Sequence, residues 1–193
     1  LRHSDAGLPR FHGSCGDVDG QLDQALSHAE NREIFRNELS VGFARLSNSR
    51  TTIIIDAAPP PIGKPSFLAD ASTLGFEMVS GQRRIFTSCG PGYLFGSDFS
   101  SVSRQTSSHC TVYLEGHNSS HFSEEKVRFQ ASKNFITTVP LKVPHEISTD
   151  EGKEIFEGAH DGYVKSHGLT HVRKLKLAQS GQTFEGEDLL IAI

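Results

Sequence analysis

The sequence predicts an all-β fold, an antiparallel β-sandwich with a partly irregular N-terminal arm. Short runs rich in β-branched and aromatic residues recur from residue 39 onward, and such runs are typical of strands. Glycines and short polar clusters separate these runs at regular intervals, as turns do in sandwiches. The 193 residues suffice for one such domain and a lead-in segment. We therefore expect an arm over residues 1–38 and one sandwich domain over residues 39–193.

The arm is predicted from its mixed, polar composition, which glycines interrupt. One short helix is predicted at Gln21–Ala29, because Leu22 and Leu26 stand i and i+4 apart and would share a helix face. The rest of the arm is expected to pack on the main domain as a linker.

The first hairpin of the sandwich is predicted just after the arm. Val41, Phe43 and Leu46 lead into a polar turn at residues 47–49, and the β-branched run Thr51–Ile55 follows. The next stretch, AAPPPIGKP, is predicted to be a loop, because prolines cannot donate to a strand ladder.

Further strands are predicted wherever apolar alternation meets turn signals. The Ser-rich stretch Ser97–Ser108 between two of them is predicted to be a loop, and a closing hairpin is expected around Ser180 and Gly181. The expected strands are Thr73–Val79, Arg83–Thr87, Cys110–Glu115, Val127–Ala131, one that begins at Glu154–Ala159, Leu169–Leu177 and Thr183–Ile191.

The charge balance bears on the kind of partner. The net charge is −4 and no polybasic block occurs, so the composition argues against nucleic acid or an anionic membrane as partner. No apolar run approaches the roughly 18 residues of a membrane span. Recognition of an anion must therefore be local, through individually placed Arg, Lys or His side chains.

The cysteine pattern bears on which kinds of site and framework the chain can form. Three cysteines without a CxxC pair exclude a zinc ribbon and a dense disulfide framework. Cys89 and Cys110 border predicted strands and are expected either to face one another or to be two buried thiols.

The chain begins without Met or a signal-like apolar core, and it ends in a strand-like run. We therefore expect a fragment of a larger protein.

Two groups of motifs carry a family resemblance. The first holds Leu74-Gly75-Phe76-Glu77, then Ser88-Cys89-Gly90, then Ser108-His109-Cys110-Thr111-Val112 with Arg104 upstream. The second holds Ala159-His160-Asp161-Gly162-Tyr163, then His171-Val172-Arg173, and ends at Gly186-Glu187-Asp188. From Leu8 onward the chain resembles the heparinase II/III-like polysaccharide lyases, in their C-terminal β-sandwich.

The resemblance implies a metal site in altered form. In metal-binding members an H-x-H-x-D motif precedes L-x-F-E, and its positions fall here on Leu68, Asp70 and Ser72. A further acidic ligand falls on Ser88, and the His ligand is kept as His109. Asp70 and His109 are therefore predicted either to hold a zinc ion together with water or to hydrogen-bond directly and tie two strands together.

The resemblance also implies a substrate surface. Arg104 is the best candidate to bind a carboxylate or sulfate, and otherwise anchors the Ser-rich loop. His160 and Tyr163 would offer polar groups to a sugar; alternatively, Asp161-Gly162 is a simple turn and Tyr163 a core residue. With His109, these residues are expected to line one concave surface.

The function implied by the resemblance is cleavage of a uronic-acid-containing glycan, such as a glycosaminoglycan, by β-elimination. Members carry an N-terminal α/α-toroid that supplies catalytic groups, so no catalytic residue is expected in this chain and the chain alone should be inactive. The alternative is a carbohydrate-binding or structural module that has lost catalysis, which the residues Leu68, Asp70 and Ser88 favour. Family members are often periplasmic, so a periplasmic or cell-envelope location is expected.

Overall fold

The computed structural model describes residues 1–16, 41–125 and 133–193, together with the single positions 20, 24 and 27. The predicted strand Val127–Ala131 lies outside the described residues, as does most of the predicted helix at Gln21–Ala29. Among the described helices, none has the length and apolar character needed to cross a bilayer.

The first sheet contains four antiparallel strands in the order β1-β2-β3-β4. Its second strand is buried along its whole length, which fits its β-branched sequence TTIIID and its central position between two neighbours. The strands are β1 (Phe43–Asn48), β2 (Thr51–Asp56), β3 (Phe76–Ser80) and β4 (Arg83–Phe86).

The second sheet contains four antiparallel strands in the order β10-β9-β8-β7, and a separate two-stranded hairpin pairs β5 with β6. The hairpin strands are β5 (His121–Glu125) and β6 (Lys133–Thr138). The strands of the second sheet are β7 (His145–Asp150), β8 (Lys153–Tyr163), β9 (Leu169–Leu177) and β10 (Phe184–Ala192).

Short helices lie in the connections. The Ser-rich segment predicted to be a loop contains helix α1 (Ser97–Val102) and a 3-10 turn at Thr106–Ser108. Helix α2 (Val164–His167) joins β8 to β9, and further 3-10 turns lie at Lys64–Leu68 and Gly92–Phe95.

The two four-stranded sheets enclose one hydrophobic core, so the predicted antiparallel β-sandwich is confirmed. The fully or nearly fully buried apolar side chains of the core are Ala44, Leu46, Ile53, Ile55, Ala57, Leu74, Phe76, Phe156, Leu175 and Leu177.

Two predictions around residue 110 are wrong. The segment Cys110–Glu115 is not a strand, apart from an isolated bridge between Leu114 and His117, and Val112 is only half-buried. Its backbone carbonyl oxygens accept hydrogen bonds from side chains instead, at Cys110 from Arg173 and at Val112 from Tyr163. Cys89 is exposed rather than buried, and Cys89 and Cys110 are free thiols.

Candidate functional site

Two histidines and one aspartate form a hydrogen-bonded chain across β8, β9 and β10. The Gly162 N–H donates to His160 Nδ1 at 3.1 Å, so His160 carries its proton on Nε2. That proton points to His171 Nδ1 at 3.1 Å, and His171 Nε2 donates to Asp188 Oδ1 at 2.7 Å. Strand register creates this order, because His160 lies directly opposite His171. Both imidazoles are therefore neutral, each in one defined tautomer.

Burial and charge fix the protonation of this chain. Burial lowers the pKa of His160 to about 3, assisted by the neighbouring His171 and Arg173. Burial by itself would raise the pKa of Asp188, but hydrogen bonds from His171 and Arg173 outweigh it and hold that pKa well below its usual range. At neutral pH the Asp188 carboxylate is thus charged and the His160 imidazole is neutral, and the Arg173 guanidinium lies beside both.

Arg173 connects this cluster to the opposite side of the sandwich. Its Nε and Nη2 donate to the Asp188 carboxylate at 2.7 and 2.8 Å. Its Nη1 donates to the carbonyl oxygens of Leu74 at 2.6 Å and Cys110 at 2.7 Å. The side chain also lies over the Phe76 ring, 5.4 Å from its centroid. Arg173 therefore clamps the loop before β3 and the residue next to His109 against the second sheet.

Tyr163 adds a second clamp on the same segment. Its hydroxyl donates to the Val112 carbonyl at 2.7 Å, and the side chain is fully buried. Asp161 and Gly162 are not a turn: they form a β-bulge within β8, between the pairs His160–His171 and Tyr163–Leu169. The bulge needs glycine, because a Cβ at position 162 would lie 2.5 Å from the Ser119 carbonyl oxygen.

His160 and Tyr163 therefore do not reach a surface in this structure. Their side chains are 1% and 0% exposed, and their polar atoms are engaged within the protein. Of the alternatives drawn from the sequence, the core position of Tyr163 is the one that the structure shows.

Asp70 lies in a second buried polar cluster, formed with the N-terminal residues. Its Oδ2 accepts the His12 N–H at 2.5 Å, and its own N–H donates to His12 Nδ1 at 3.0 Å. With Nδ1 accepting, the His12 proton lies on Nε2, which is 3.2 Å from Asp56 Oδ2. Burial raises the pKa of Asp70 to about 6, although His12 and Arg104 oppose the shift. Asp56 also accepts the Ser72 hydroxyl at 2.6 Å.

His109 is buried next to this cluster but does not bond to Asp70. Both of its ring nitrogens lack a hydrogen-bond partner, and its ring lies 6.0 Å from that of Phe11. Burial lowers its pKa to about 4 and keeps it neutral. The predicted direct hydrogen bond between Asp70 and His109 is therefore wrong.

The residues around Asp70 and His109 do not fit a zinc ion. A structural zinc takes four ligands and a catalytic zinc takes three from the protein. The Asp70 carboxylate is engaged by His12, and Ser88 has no carboxylate and donates its N–H to Glu77 Oε1 at 3.0 Å. Among the described residues, no group of three His, Cys, Asp or Glu side chains is arranged to hold a metal ion. The His109 nitrogens could bind a metal, but the part of the chain that the structure describes places no further ligands around them.

Arg104 is a fixed cation. The guanidinium donates from Nε, Nη1 and Nη2 to the carbonyl oxygens of Ala69, Asn134 and Ser66, at 2.7, 2.8 and 2.6 Å. Three of its five N–H groups are thus engaged, and two remain. Only 9% of the residue is exposed. Both predicted roles are thus compatible, because Arg104 anchors the loop and still has donors to offer.

Arg104 forms part of the wall of a cavity of about 430 Å³, a volume that suits a small ligand. None of the described residues that line the cavity is acidic. Its wall combines histidines, amides and one aromatic ring, and the Asn134 Oδ1 there is buried without a partner. The lining residues are Ser101, Arg104, Gln105, Gly116, His117, Asn118, His121, Phe122 and Asn134.

The four residues expected to line one concave surface do not all line this cavity. Arg104 lines the cavity, whereas His109, His160 and Tyr163 are not among its lining residues. The cavity residues His117 and His121 were not predicted to bind sugar, although their i, i+4 spacing in a histidine-rich sequence distinguishes them.

Comparison with known proteins identifies the sandwich. The family model "heparinase II/III-like, C-terminal" matches residues 32–192. FtsZ-localized protein C from Caulobacter vibrioides is 28% identical over 189 residues, which cover 96% of this chain and 32% of that protein. The chain therefore spans about a third of the length of this relative.

Solved structures agree on the fold. A heparinase III gene product superposes with a TM-score of 0.68 at 16% identity, over 100% of this chain and 31% of that chain. Heparan sulfate lyase HepC from Pedobacter heparinus gives a TM-score of 0.65 at 16% identity, over 100% of this chain and 31% of that chain. At this identity the likeness concerns the fold.

Proposed function

Because the chain belongs to the heparinase II/III-like family through its C-terminal domain, we propose that it is the sandwich part of a polysaccharide lyase that binds an acidic glycan. The solved proteins of the same fold span about three times its length. The proposal therefore assigns to this chain one wall of a cleft, and to an N-terminal toroid the catalytic groups.

The observation that carries the proposal is the placement of Arg104. A guanidinium held by three carbonyl oxygens needs no further ordering when it binds a carboxylate or sulfate. It forms no ion pair within hydrogen-bonding distance among the described residues, and the cavity beside it has no described acidic wall. The unpartnered Asn134 Oδ1 supplies an acceptor for a sugar hydroxyl. An anionic, hydroxylated ligand satisfies both groups.

The proposed reaction of the longer protein is β-elimination at a uronic acid. The uronate carboxylate is neutralised, a general base removes the C5 proton, and the leaving glycosidic oxygen is protonated. The sandwich contributes binding rather than proton transfer, because Leu68 stands where the resemblance puts a catalytic His. The chain alone is therefore expected to be inactive.

Binding is tested by electrophoresis of the chain through native gels that contain heparan sulfate, chondroitin sulfate, alginate or neutral dextran. We expect at least one acidic polysaccharide to retard the chain and dextran to leave its mobility unchanged. Equal mobility in all gels at low salt would refute the proposal, because a site built on one guanidinium depends on charge.

The second candidate is a non-catalytic binding or structural module. Leu68, which cannot transfer a proton, and the relative named for its localisation with FtsZ favour it. The two candidates differ in the longer protein: a lyase releases unsaturated uronate, which absorbs in the ultraviolet, whereas a binding module retains the glycan without releasing product.

The location proposed for the protein is the periplasm or cell envelope, where an acidic polysaccharide is encountered. This proposal depends on the family alone. Fractionation of the cells that make the protein tests it, and recovery in the cytosolic fraction would refute it.

A further inference from the structure

The first sixteen residues form a strap, here called the N-terminal strap (residues 1–16), which packs on the sandwich and lies outside the part matched by the family model. The Ser4 N–H donates to Thr52 Oγ1 at 2.8 Å, and the Ser4 hydroxyl to the Gly81 carbonyl at 3.0 Å. Further along, Phe11 is buried at 3% exposure and stacks on Phe43 with the ring centroids 5.9 Å apart. The strap is therefore an integral part of the domain.

The strap brings a histidine to each buried acidic group beneath it. His3 Nε2 lies 3.4 Å from Glu77 Oε2, and both side chains are fully buried. His12 bridges Asp56 and Asp70, with Nε2 at 3.2 Å from the first and Nδ1 accepting the backbone N–H of the second. Buried carboxylates are costly unless they are well partnered, so the two histidines of the strap help to stabilise these three.

The same strap covers the positions that the family resemblance aligns with metal ligands. His12 engages Asp70 from both its backbone and its ring. Phe11 packs against His109. Ser88 donates to the Glu77 oxygen that also accepts the Arg10 N–H at 3.0 Å. Each position is thus engaged within the chain or covered by the strap.

We infer that the N-terminal strap takes the place of the metal in this chain. An ion in a metal-binding relative would join the segments at positions 70, 88 and 109 by coordination. Here the strap contacts the same three segments, through His12 at Asp70, Phe11 at His109 and Arg10 at the Glu77 oxygen that it shares with Ser88. The domain is then metal-independent, and its stability depends on the strap. This inference concerns the sandwich itself and does not depend on glycan binding.

The test compares the wild-type chain with His12→Asn. The His12 backbone has φ 53°, in the left-handed region that asparagine tolerates better than most residues, so this change isolates the imidazole. Asn cannot reach both carboxylate segments. His117→Asn serves as control, because His117 is exposed and lies outside the strap. Metal content is measured in the purified proteins, and the unfolding midpoint is measured with zinc and with a chelator.

We expect no stoichiometric zinc in the wild-type chain and the same midpoint with zinc and with chelator. His12→Asn should lower the midpoint by roughly 2–8 °C and speed proteolysis within residues 1–16, whereas His117→Asn should do neither. One zinc per chain whose removal lowers the midpoint would overturn the inference. It would be overturned equally if His12→Asn left both the midpoint and the proteolysis unchanged.

Discussion

The guanidinium of Arg173 on β9 lies 2.6 Å from the carbonyl oxygen of Leu74, on the loop before β3. This bond joins the second sheet to the loop that leads into the first sheet. The same guanidinium holds Cys110 and is itself held by Asp188. The family motifs that surround these residues thus maintain the position of the segment that carries His109.

Arg173→Met tests this clamp. The change removes two of the three donors to the Asp188 carboxylate and the donor to two carbonyl oxygens. We therefore expect the free energy of unfolding to fall by about 1.5–3 kcal/mol, the range for hydrogen bonds to a charged group. Lys174→Met is the matched control, because the neighbouring Lys174 pairs with Glu157 on the surface and its loss should change stability little. Denaturant unfolding measures both. Similar losses for the two variants would show that Arg173 is no more than a surface cation.

Gly162→Ala tests the bulge in β8. The new Cβ would lie 2.5 Å from the Ser119 carbonyl oxygen, and relief of that overlap should cost about 1–3 kcal/mol. Gly186→Ala provides the comparison, because a Cβ there meets the nearest atom, Leu175 Cδ2, at an ordinary 3.4 Å. A Gly162→Ala chain as stable as Gly186→Ala would mean that the bulge is misplaced.

Tyr163→Phe separates a structural hydroxyl from a ligand-binding one. Loss of the bond to the Val112 carbonyl should lower the free energy of unfolding by about 0.5–1.5 kcal/mol, while the affinity for an acidic glycan stays unchanged. Unfolding and glycan titration of the same sample measure the two effects. Reduced affinity at full stability would restore Tyr163 to the substrate surface.

Some of this architecture follows from the sequence. β9 occupies the predicted residues Leu169–Leu177, because its alternating pattern places one face in the core. The motifs around His160, Arg173 and Asp188 are also evident in the sequence, but their contacts are not. These contacts depend on a cross-strand register that a one-residue bulge shifts, and one-residue shifts reverse which face a side chain occupies.

Long-range contacts of irregular segments explain the rest. His12 meets Asp70 across 58 residues of sequence, with no periodicity to indicate it. The segment after His109 has a strand-like composition, yet two of its carbonyl oxygens accept hydrogen bonds from the Tyr163 and Arg173 side chains instead of from a neighbouring strand. Local β-propensity therefore predicted a strand wrongly at a segment whose hydrogen-bond partners are side chains and not the backbone of another strand.

The pH dependence of stability should report the buried His109. Its pKa is about 4 in the folded chain and 6.5 when unperturbed, so between these values the unfolded chain binds a proton that the folded chain does not. The free energy of unfolding therefore falls as the pH falls through this window, by up to about 1.4 kcal/mol per pH unit for this one group.

His109→Leu should remove that part of the slope, because leucine has no group that binds a proton in this pH range. Asp70, whose raised pKa of about 6 acts in the opposite direction, is present in both proteins and cancels in the comparison. Urea unfolding from pH 7.5 to 4.5 measures the slopes. Identical slopes would mean that His109 titrates normally in the folded chain.

The central claim is tested most directly by calorimetric titration of the unmodified chain with two sugars. One is a uronate-containing tetrasaccharide, and the other is its carboxyl-reduced, unsulfated counterpart. The claim is that a fixed Arg104 beside a cavity without described acidic residues selects an acidic glycan. We predict saturable binding of one acidic tetrasaccharide per chain, and at least about tenfold weaker binding of the reduced form, as expected for loss of a charged hydrogen bond. Equal affinity for the two sugars, or no heat from any acidic tetrasaccharide, would contradict it.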